Sequence, residues 1–309
     1  MTSSQTKTLH FEPTSRCNAA CPMCARNIDG KETIVSLGDL SLKKFQLQVI
    51  SNIKTLEKIL FCGTLGDPCA DKNLLEKIEW VKKLNPEIVI GIHTNGSIRN
   101  TEWWTNCAKL LTGIYDYVVF SIDGLEDTNH LYRWNVQWKK IMQNTKAYIE
   151  AGGSAHWDML VFDYNNHQVE ECKQLAKAMG FAWFRHKETN RWDQYGSRFP
   201  NLNPVTEYEH VDYTGIEDID CLRDNEKSTY IDYKGVEYPC PYIAGVMFSA
   251  PYDEKKKELN KDILHLTPEQ IMTEYKERLD NGNPFYICKR SCGVGLCKRT
   301  QWKQEIQLN

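Results

Sequence analysis

Between residues 8 and 186 the chain alternates short apolar, β-branched runs with longer stretches whose apolar residues recur every three or four positions. The short runs, 8–12, 58–62, 87–93, 117–122, 156–162 and 182–186, predict strands. The longer stretches, near 41–53, 74–84, 101–111, 136–151 and 168–179, predict amphipathic helices. In the first, Leu42, Phe45, Val49 and Ile53 share a face; in the second, Leu75, Ile78, Val81 and Leu84 do. Ser41 and Thr101 are suited to N-caps, and Gly152 and Gly180 to C-terminal stops. Strand–helix alternation of this kind implies an α/β fold with parallel strands and right-handed crossovers. Six units are too few for a closed eight-stranded barrel.

After Arg185 the pattern breaks. Residues 187–203 are polar, with Trp192, Tyr195 and Pro200, and read as a bridging loop. From about residue 208 the chain carries five of its twelve cysteines. With 309 residues, two domains are expected, 1–207 and 208–309. An apolar fraction of 41%, before counting 18 glycines, is that of a globular protein with a full core. The net charge is −3 with both signs interspersed, which gives no footprint for nucleic acid. Residues 1–7 lack the apolar core of a signal peptide, and no apolar run approaches the ~20 residues of a membrane helix. Many cysteines without an export signal point to reduced thiols and metal rather than disulfides, hence to a cytoplasmic protein.

The candidate chemistry begins directly after the first strand, where Cys17, Cys21 and Cys24 follow the spacing C-x3-C-x2-C. Three thiolates in one short loop can hold three corners of a [4Fe–4S] cube, leaving one iron open to a ligand. A structural zinc loop is the competing reading, although zinc ligands usually arrive as pairs from two places. Further motifs follow the other strands, where ligands bind in parallel α/β folds. Gly63-Thr64-Leu65-Gly66-Asp67-Pro68 follows the second, His93-Thr94-Asn95-Gly96 the third, and Ser121-Ile122-Asp123-Gly124 with Arg133 the fourth.

Triplet and motifs together resemble the radical S-adenosylmethionine (radical SAM) superfamily, in family order along most of the chain. The resemblance implies a partial (β/α)6 barrel of the TIM type. It also implies that SAM chelates the open iron. The Gly63–Pro68 loop, with Gly63, Gly66 and Asp67, would bind the SAM amino group; Asp67 stands where the family usually has Glu. Asn95 would reach the ribose, and Ser121, within the Ser-x-Asp-Gly motif of Asp123, would hold the carboxylate with Arg133. Met23, between two cluster cysteines, would pack near the adenine or simply fill the core.

A second cysteine set begins with Cys221 and Cys240, flanking Gly235, whose hairpin would fold the two thiols together. Cys288, Cys292 and Cys297 follow. This set resembles the start of a SPASM or shortened twitch domain, which binds auxiliary [4Fe–4S] clusters. Four of the five sulfurs would ligate one cluster, the surplus lying among the last three; zinc is again the competing reading. Cys62, Cys69, Cys107 and Cys172 stand singly and are expected to be buried.

The resemblance implies an oxidoreductase that reductively cleaves SAM to a 5′-deoxyadenosyl radical. That radical would abstract hydrogen from a substrate C–H, with an external donor of the flavodoxin or ferredoxin type. An auxiliary cluster suits oxidative modification of a peptide; dehydrogenation or rearrangement of a small polar metabolite is the alternative substrate reading. In sulfatase-maturing relatives an Asp base follows the second auxiliary cysteine, whereas Pro241 and Tyr242 do here. Trp183, Trp192 and Tyr242 are candidates to line a substrate space. A non-catalytic metal-binding protein or electron carrier would not need the strand-end motifs.

Overall fold

The computed structural model describes residues 6–189, 191–195, 198–207, 211–294 and 302–308. In chain order the strands begin with β1 (Thr8–Phe11) and a small hairpin of β2 (Asn27–Ile28) and β3 (Glu32–Thr33). Then come β4 (Lys58–Phe61), β5 (Val89–Thr94), β6 (Tyr117–Ser121), β7 (Ala155–Val161) and β8 (Trp183–Glu188). The crossover helices are α1 (Leu42–Asn52), α2 (Leu74–Leu84), α3 (Thr101–Leu110), α4 (Asn129–Tyr132), α5 (Trp138–Glu150) and α6 (Val169–Met179). Strands β1, β4, β5, β6, β7 and β8 lie side by side in that order, all parallel. The six units expected from the periodicity are therefore present.

The two faces of this sheet differ because side chains alternate along a strand. One face carries Phe11, Phe61, Ile92, Phe120, Trp157 and Phe184, which pack with Phe45, Ile78, Trp104 and Tyr148 of the helices. Phe11 lies 4.7 Å from Phe45, and Trp104 lies 5.1 Å from Phe120, ring centre to ring centre. The other face carries His10, His93, Tyr117, His156, Asp158 and Arg185. Tyr117 lies flat on His156 at 4.9 Å, with His93 and Trp183 on either side. Burial drives His93 down to about 3 and His156 down to about 4, so both rings are neutral at pH 7.

Helix ends follow local chemistry, with one correction. Ser41 caps α1, its side chain accepting from the Lys44 amide. The cap of α3 is Asn100, not Thr101: Asn100 is extended, its side chain accepts from the Trp103 amide at 3.0 Å, and Thr101 is the first helical residue. Asn outranks Thr as a cap. Gly180 closes α6 at φ +86°, where a Cβ would be strained. The expected bridging loop also holds structure. The turn α7 (Trp192–Tyr195) lies within it, and Trp192, Tyr195, Phe199 and Leu202 are buried in the main core.

The C-terminal third contains α8 (Leu222–Glu226), β9 (Ser228–Ile231), β10 (Glu237–Tyr238), α9 (Pro241–Ser249), α10 (Glu254–Leu259), α11 (Pro268–Asp280), α12 (Tyr286–Cys292) and β11 (Lys303–Gln307). It has its own apolar cluster around Tyr230, Ile243, Ile271 and Phe285. Yet it is not a layer apart. Strand β9 runs parallel beside β1 in the register Thr8↔Ser228, β10 pairs with β9, and β11 pairs antiparallel with β8. The result is one open nine-stranded sheet, its outermost strands unpaired with each other among the described residues.

Candidate active site

The site grows from the carboxyl ends of β1, β4, β5 and β6. One residue past β1, Glu12 is fully buried. Its carboxylate accepts the amides of Thr64 at 2.9 Å and Gly66 at 2.8 Å, and the hydroxyl of Tyr230 at 2.7 Å. Burial pushes Glu12 up to about 8 against these hydrogen bonds. Gly66 presses on the loop that leads to the cysteines, where a Cβ would lie 2.1 Å from the Thr14 carbonyl oxygen, so only glycine fits. The Asp67 amide donates to the Arg16 carbonyl at 2.8 Å. Buried Arg26 donates to the carbonyls of Leu65 and Ser15, each at 3.0 Å. The cysteine loop and the 63–68 loop are thus one stitched unit.

Cys17, Cys21 and Cys24 project from this unit as free thiols. The Asn95 side-chain amide stands 3.7 Å from the Cys17 sulfur, and Arg133 Nη1 stands 4.0 Å from the Cys21 sulfur. Burial pushes Cys21 up to about 11, with Arg133 opposing, and Cys17 higher still. Such thiols ionise when a metal supplies positive charge, as thiolate ligation requires.

Of the predicted residues, Asp67, Asn95, Asp123 and Arg133 meet at the cysteine loop, and their side chains do different jobs. Asp67 faces inward: its carboxylate accepts from the Thr94 hydroxyl at 2.9 and 3.0 Å, the Asn95 amide at 2.8 Å and the Cys69 amide at 3.0 Å. Asp123 is fully buried, taking the Leu160 amide at 2.7 Å on one oxygen and Arg133 Nε at 2.5 Å on the other. Both aspartates therefore position neighbours. Asn95 accepts from Ser97 and donates to Asn18 at 2.9 Å. Ser121 ends β6, in register with Asp158 of β7. The Met23 side chain is buried in the core, and its carbonyl accepts Arg191 Nη1 at 2.6 Å.

The second cysteine set assembles from three elements. Cys221 precedes α8, Cys240 precedes α9 at the end of the Gly235 hairpin, and Cys288 and Cys292 lie one turn apart on α12. All four line one cavity of about 140 Å³, with His10, Ile243, Ile287 and Tyr242 in its walls. Cys297 lies outside the described residues. Among the described residues, no three His, Cys, Asp or Glu side chains close on a point as a single-ion site requires. Four soft sulfurs around a cavity are a donor set that suits an iron–sulfur cluster. Cys69, Cys107 and Cys172 are buried as expected, whereas Cys62 is half-buried.

The aromatic trio does not form one space: Trp183 lies tilted against His156 on the sheet's polar face, Trp192 packs edge-on to Phe162 in the core, and Tyr242 lines the second cysteine cavity.

Comparison with known proteins fixes the family. A profile of the Radical SAM superfamily matches residues 11–176, more than half of the chain. The chain belongs to the radical SAM superfamily. Over 121 residues it is 31% identical to the tungsten-containing aldehyde ferredoxin oxidoreductase cofactor-modifying protein of Pyrococcus furiosus. That match takes in 38% of this chain and 31% of the relative, so it spans under a third of the relative's length. Among solved structures, anSMEcpe with bound AdoMet aligns over 98% of this chain and 90% of its own (TM-score 0.55, 14% identity). Streptococcus suis SuiB bound to S-adenosylmethionine aligns over 78% of this chain and 61% of its own (TM-score 0.51, 17% identity). SuiB bound to its precursor peptide SuiA aligns over 92% and 70% (TM-score 0.52, 16% identity). These structural likenesses are likenesses of fold.

Sequence reasoning missed several members of this candidate site. Glu12 continues the β1 run and was legible only as a charge at the end of an apolar strand. Its partner Tyr230 lies 218 positions away. Arg26 and Arg191, which hold loop carbonyls, carry no spacing signal at all.

Proposed function

We propose that this radical SAM protein catalyses the oxidative modification of a peptide, on a partial barrel spanning 1–207 with a SPASM/twitch-type module over 208–309. Cys17, Cys21 and Cys24 would hold the SAM-binding [4Fe–4S] cluster. Loaded with SAM and given an electron by a flavodoxin- or ferredoxin-type donor, that cluster supplies a 5′-deoxyadenosyl radical able to take hydrogen from a C–H bond.

The chain's own residues bind and orient. Asp123 holds Arg133 by Nε, which leaves the guanidinium facing the cysteine loop, where it and Ser121 would receive the SAM carboxylate. Glu12 and Asp67 fix the 63–68 loop, whose backbone would receive the amino group, and Asn95 would receive the ribose. Cys221, Cys240, Cys288 and Cys292 would hold an auxiliary [4Fe–4S] cluster as acceptor of the second electron. The observation that carries this reading is the convergence of Asn95 and Arg133 on the sulfurs of the triplet, from separate strand ends. The peptide substrate is supported by the likeness in fold to SuiB, whose structure holds its precursor peptide.

The test is anaerobic reconstitution followed by reduction with dithionite in the presence of SAM. The wild type should release 5′-deoxyadenosine and methionine, and Cys17→Ala should release neither. Stoichiometric zinc with no 5′-deoxyadenosine would overturn the reading.

A further inference from the structure

Three residues beyond Cys24 the chain enters the β2–β3 hairpin, tied back by the Asn27 amide, which donates to the Cys24 carbonyl at 3.1 Å. Behind the hairpin opens a second cavity, of about 350 Å³. Its walls are the hairpin, the stretch around Tyr195 and Arg198, and the chain from the end of α9 into α10. Both halves of the molecule build it, in the size range of small-ligand sites.

The charged groups in its walls are unequally matched. Arg198 sits between Asp29 at 3.1 Å and Asp253 at 2.9 Å. Lys256 has no such partner. It is 5% exposed, and of its three N–H donors one reaches the Tyr195 hydroxyl at 2.7 Å. Among the described residues its ammonium makes no ion pair with a carboxylate. Burial pulls Lys256 down to about 8, with Asp253 opposing, so the charged form is the major one at pH 7. A buried ammonium with donors left over is costly unless an anionic acceptor meets it. A single negative charge answers this need. A dianion would face Asp29, Asp253 and Glu254 on the same walls.

We propose that this cavity is the substrate site and that Lys256, braced by Tyr195, binds a carboxylate of the substrate beside the cluster loop. The inference rests on the function proposed above. The carboxylate can belong to an acidic residue of a peptide or to a free small acid, and the experiment separates the two sources.

The reconstituted enzyme with SAM would be titrated calorimetrically with Ac-Ala-Glu-Ala-NH2, with its Gln counterpart, and with the monoanion butyrate. At least one acid probe should bind saturably, the Gln peptide at least tenfold more weakly than the Glu peptide where the peptide arm binds. Binding of the Glu peptide assigns a peptide source, and binding of butyrate alone assigns a small acid. Lys256→Met should weaken the acid probe tenfold or more, and Lys256→Arg should restore most of it. If the wild type bound neither acid, or bound Glu and Gln peptides equally, the assignment would fall without any variant having to fold. Unchanged affinity in Lys256→Met would overturn it too. Release of 5′-deoxyadenosine without substrate is read separately, so failure of the cavity assignment and failure of the radical SAM reading are distinguishable.

Discussion

The two cysteine groups of this protein are built in opposite ways. Cys17, Cys21 and Cys24 lie within one loop, and polar groups reach their sulfurs from other strand ends, Arg133 at 4.0 Å and Asn95 at 3.7 Å. Cys221, Cys240, Cys288 and Cys292 come from three elements and surround a small cavity whose walls are mostly apolar, with Ile219, Pro239, Pro241, Ile243 and Ile287, and carry His10, Arg223 and Glu226 as well. A cation and an amide beside the first group suit a centre that must accept a charged ligand. Apolar walls suit a centre that exchanges electrons without one, since solvent access and dielectric around a cluster tune its potential. The contrast supports the proposed division, in which the first group would do the chemistry and the second would transfer electrons.

The largest effect that would break this contrast concerns the first group. Changing Cys17, Cys21 and Cys24 together to Ala should abolish 5′-deoxyadenosine release and remove about half of the roughly eight irons expected for two [4Fe–4S] clusters. Iron analysis and chromatography of the reaction check both. Next, replacing Cys221 and Cys240 by Ala should remove the other half of the iron and abolish product while SAM cleavage continues. Product at a normal rate in that variant would make the second group structural, and a redox-neutral reaction would then fit better.

Arg133→Ala should weaken SAM binding by about 2–3 kcal/mol, because it removes a charge-assisted contact. Asp123→Asn, which acts through Arg133, should weaken it less; equal SAM affinity in Arg133→Ala and the wild type would remove Arg133 from the site.

The smallest effect belongs to the seam between the two regions. Glu12→Gln should cost about 1 kcal/mol at neutral pH, by exchanging one acceptor for a donor opposite a backbone amide. Its pH dependence has a definite sign. Glu12 titrates near 8 in the fold, above its ordinary 4.5, so the folded state favours the neutral carboxyl. The stability this brings is present below pH 4.5 and is lost as pH rises through 8. Melting curves of Glu12→Gln should lack that decline, and identical slopes in both proteins would show that Glu12 is not the titrating group.

Much of the barrel half was legible because its signals are local. In a helix of eleven residues such as α2 the period shows the buried face only in part: of the expected Leu75, Ile78, Val81 and Leu84, Ile78 and Val81 are fully buried, Leu75 is half-buried and Leu84 is exposed, while Leu74 and Lys77 complete the buried face. Strand-end motifs were legible for the same reason, since each sits within a few residues of its strand. The bridging stretch was harder. Trp192, Tyr195, Phe199 and Leu202 anchor it in the core at irregular spacing, so no period betrays them. Asp67 and Asp123 show a subtler limit: their motifs were readable, but whether a carboxylate faces a ligand or a neighbouring amide depends on what packs around it.

The sequence by itself determined the six strand–helix units, the cysteine triplet and the order of the motifs that follow it, because periodicity, turn chemistry and ligand spacing are encoded within short windows. Tertiary structure alone decided that β9 pairs with β1, which carries Tyr230 to Glu12. It alone gathered four cysteines from three elements around one cavity and brought Lys256 to Tyr195, 61 positions apart. The reason is physical. Pairings between distant segments are selected by the burial and hydrogen bonding of whole surfaces, and no local pattern records which surface will be the partner.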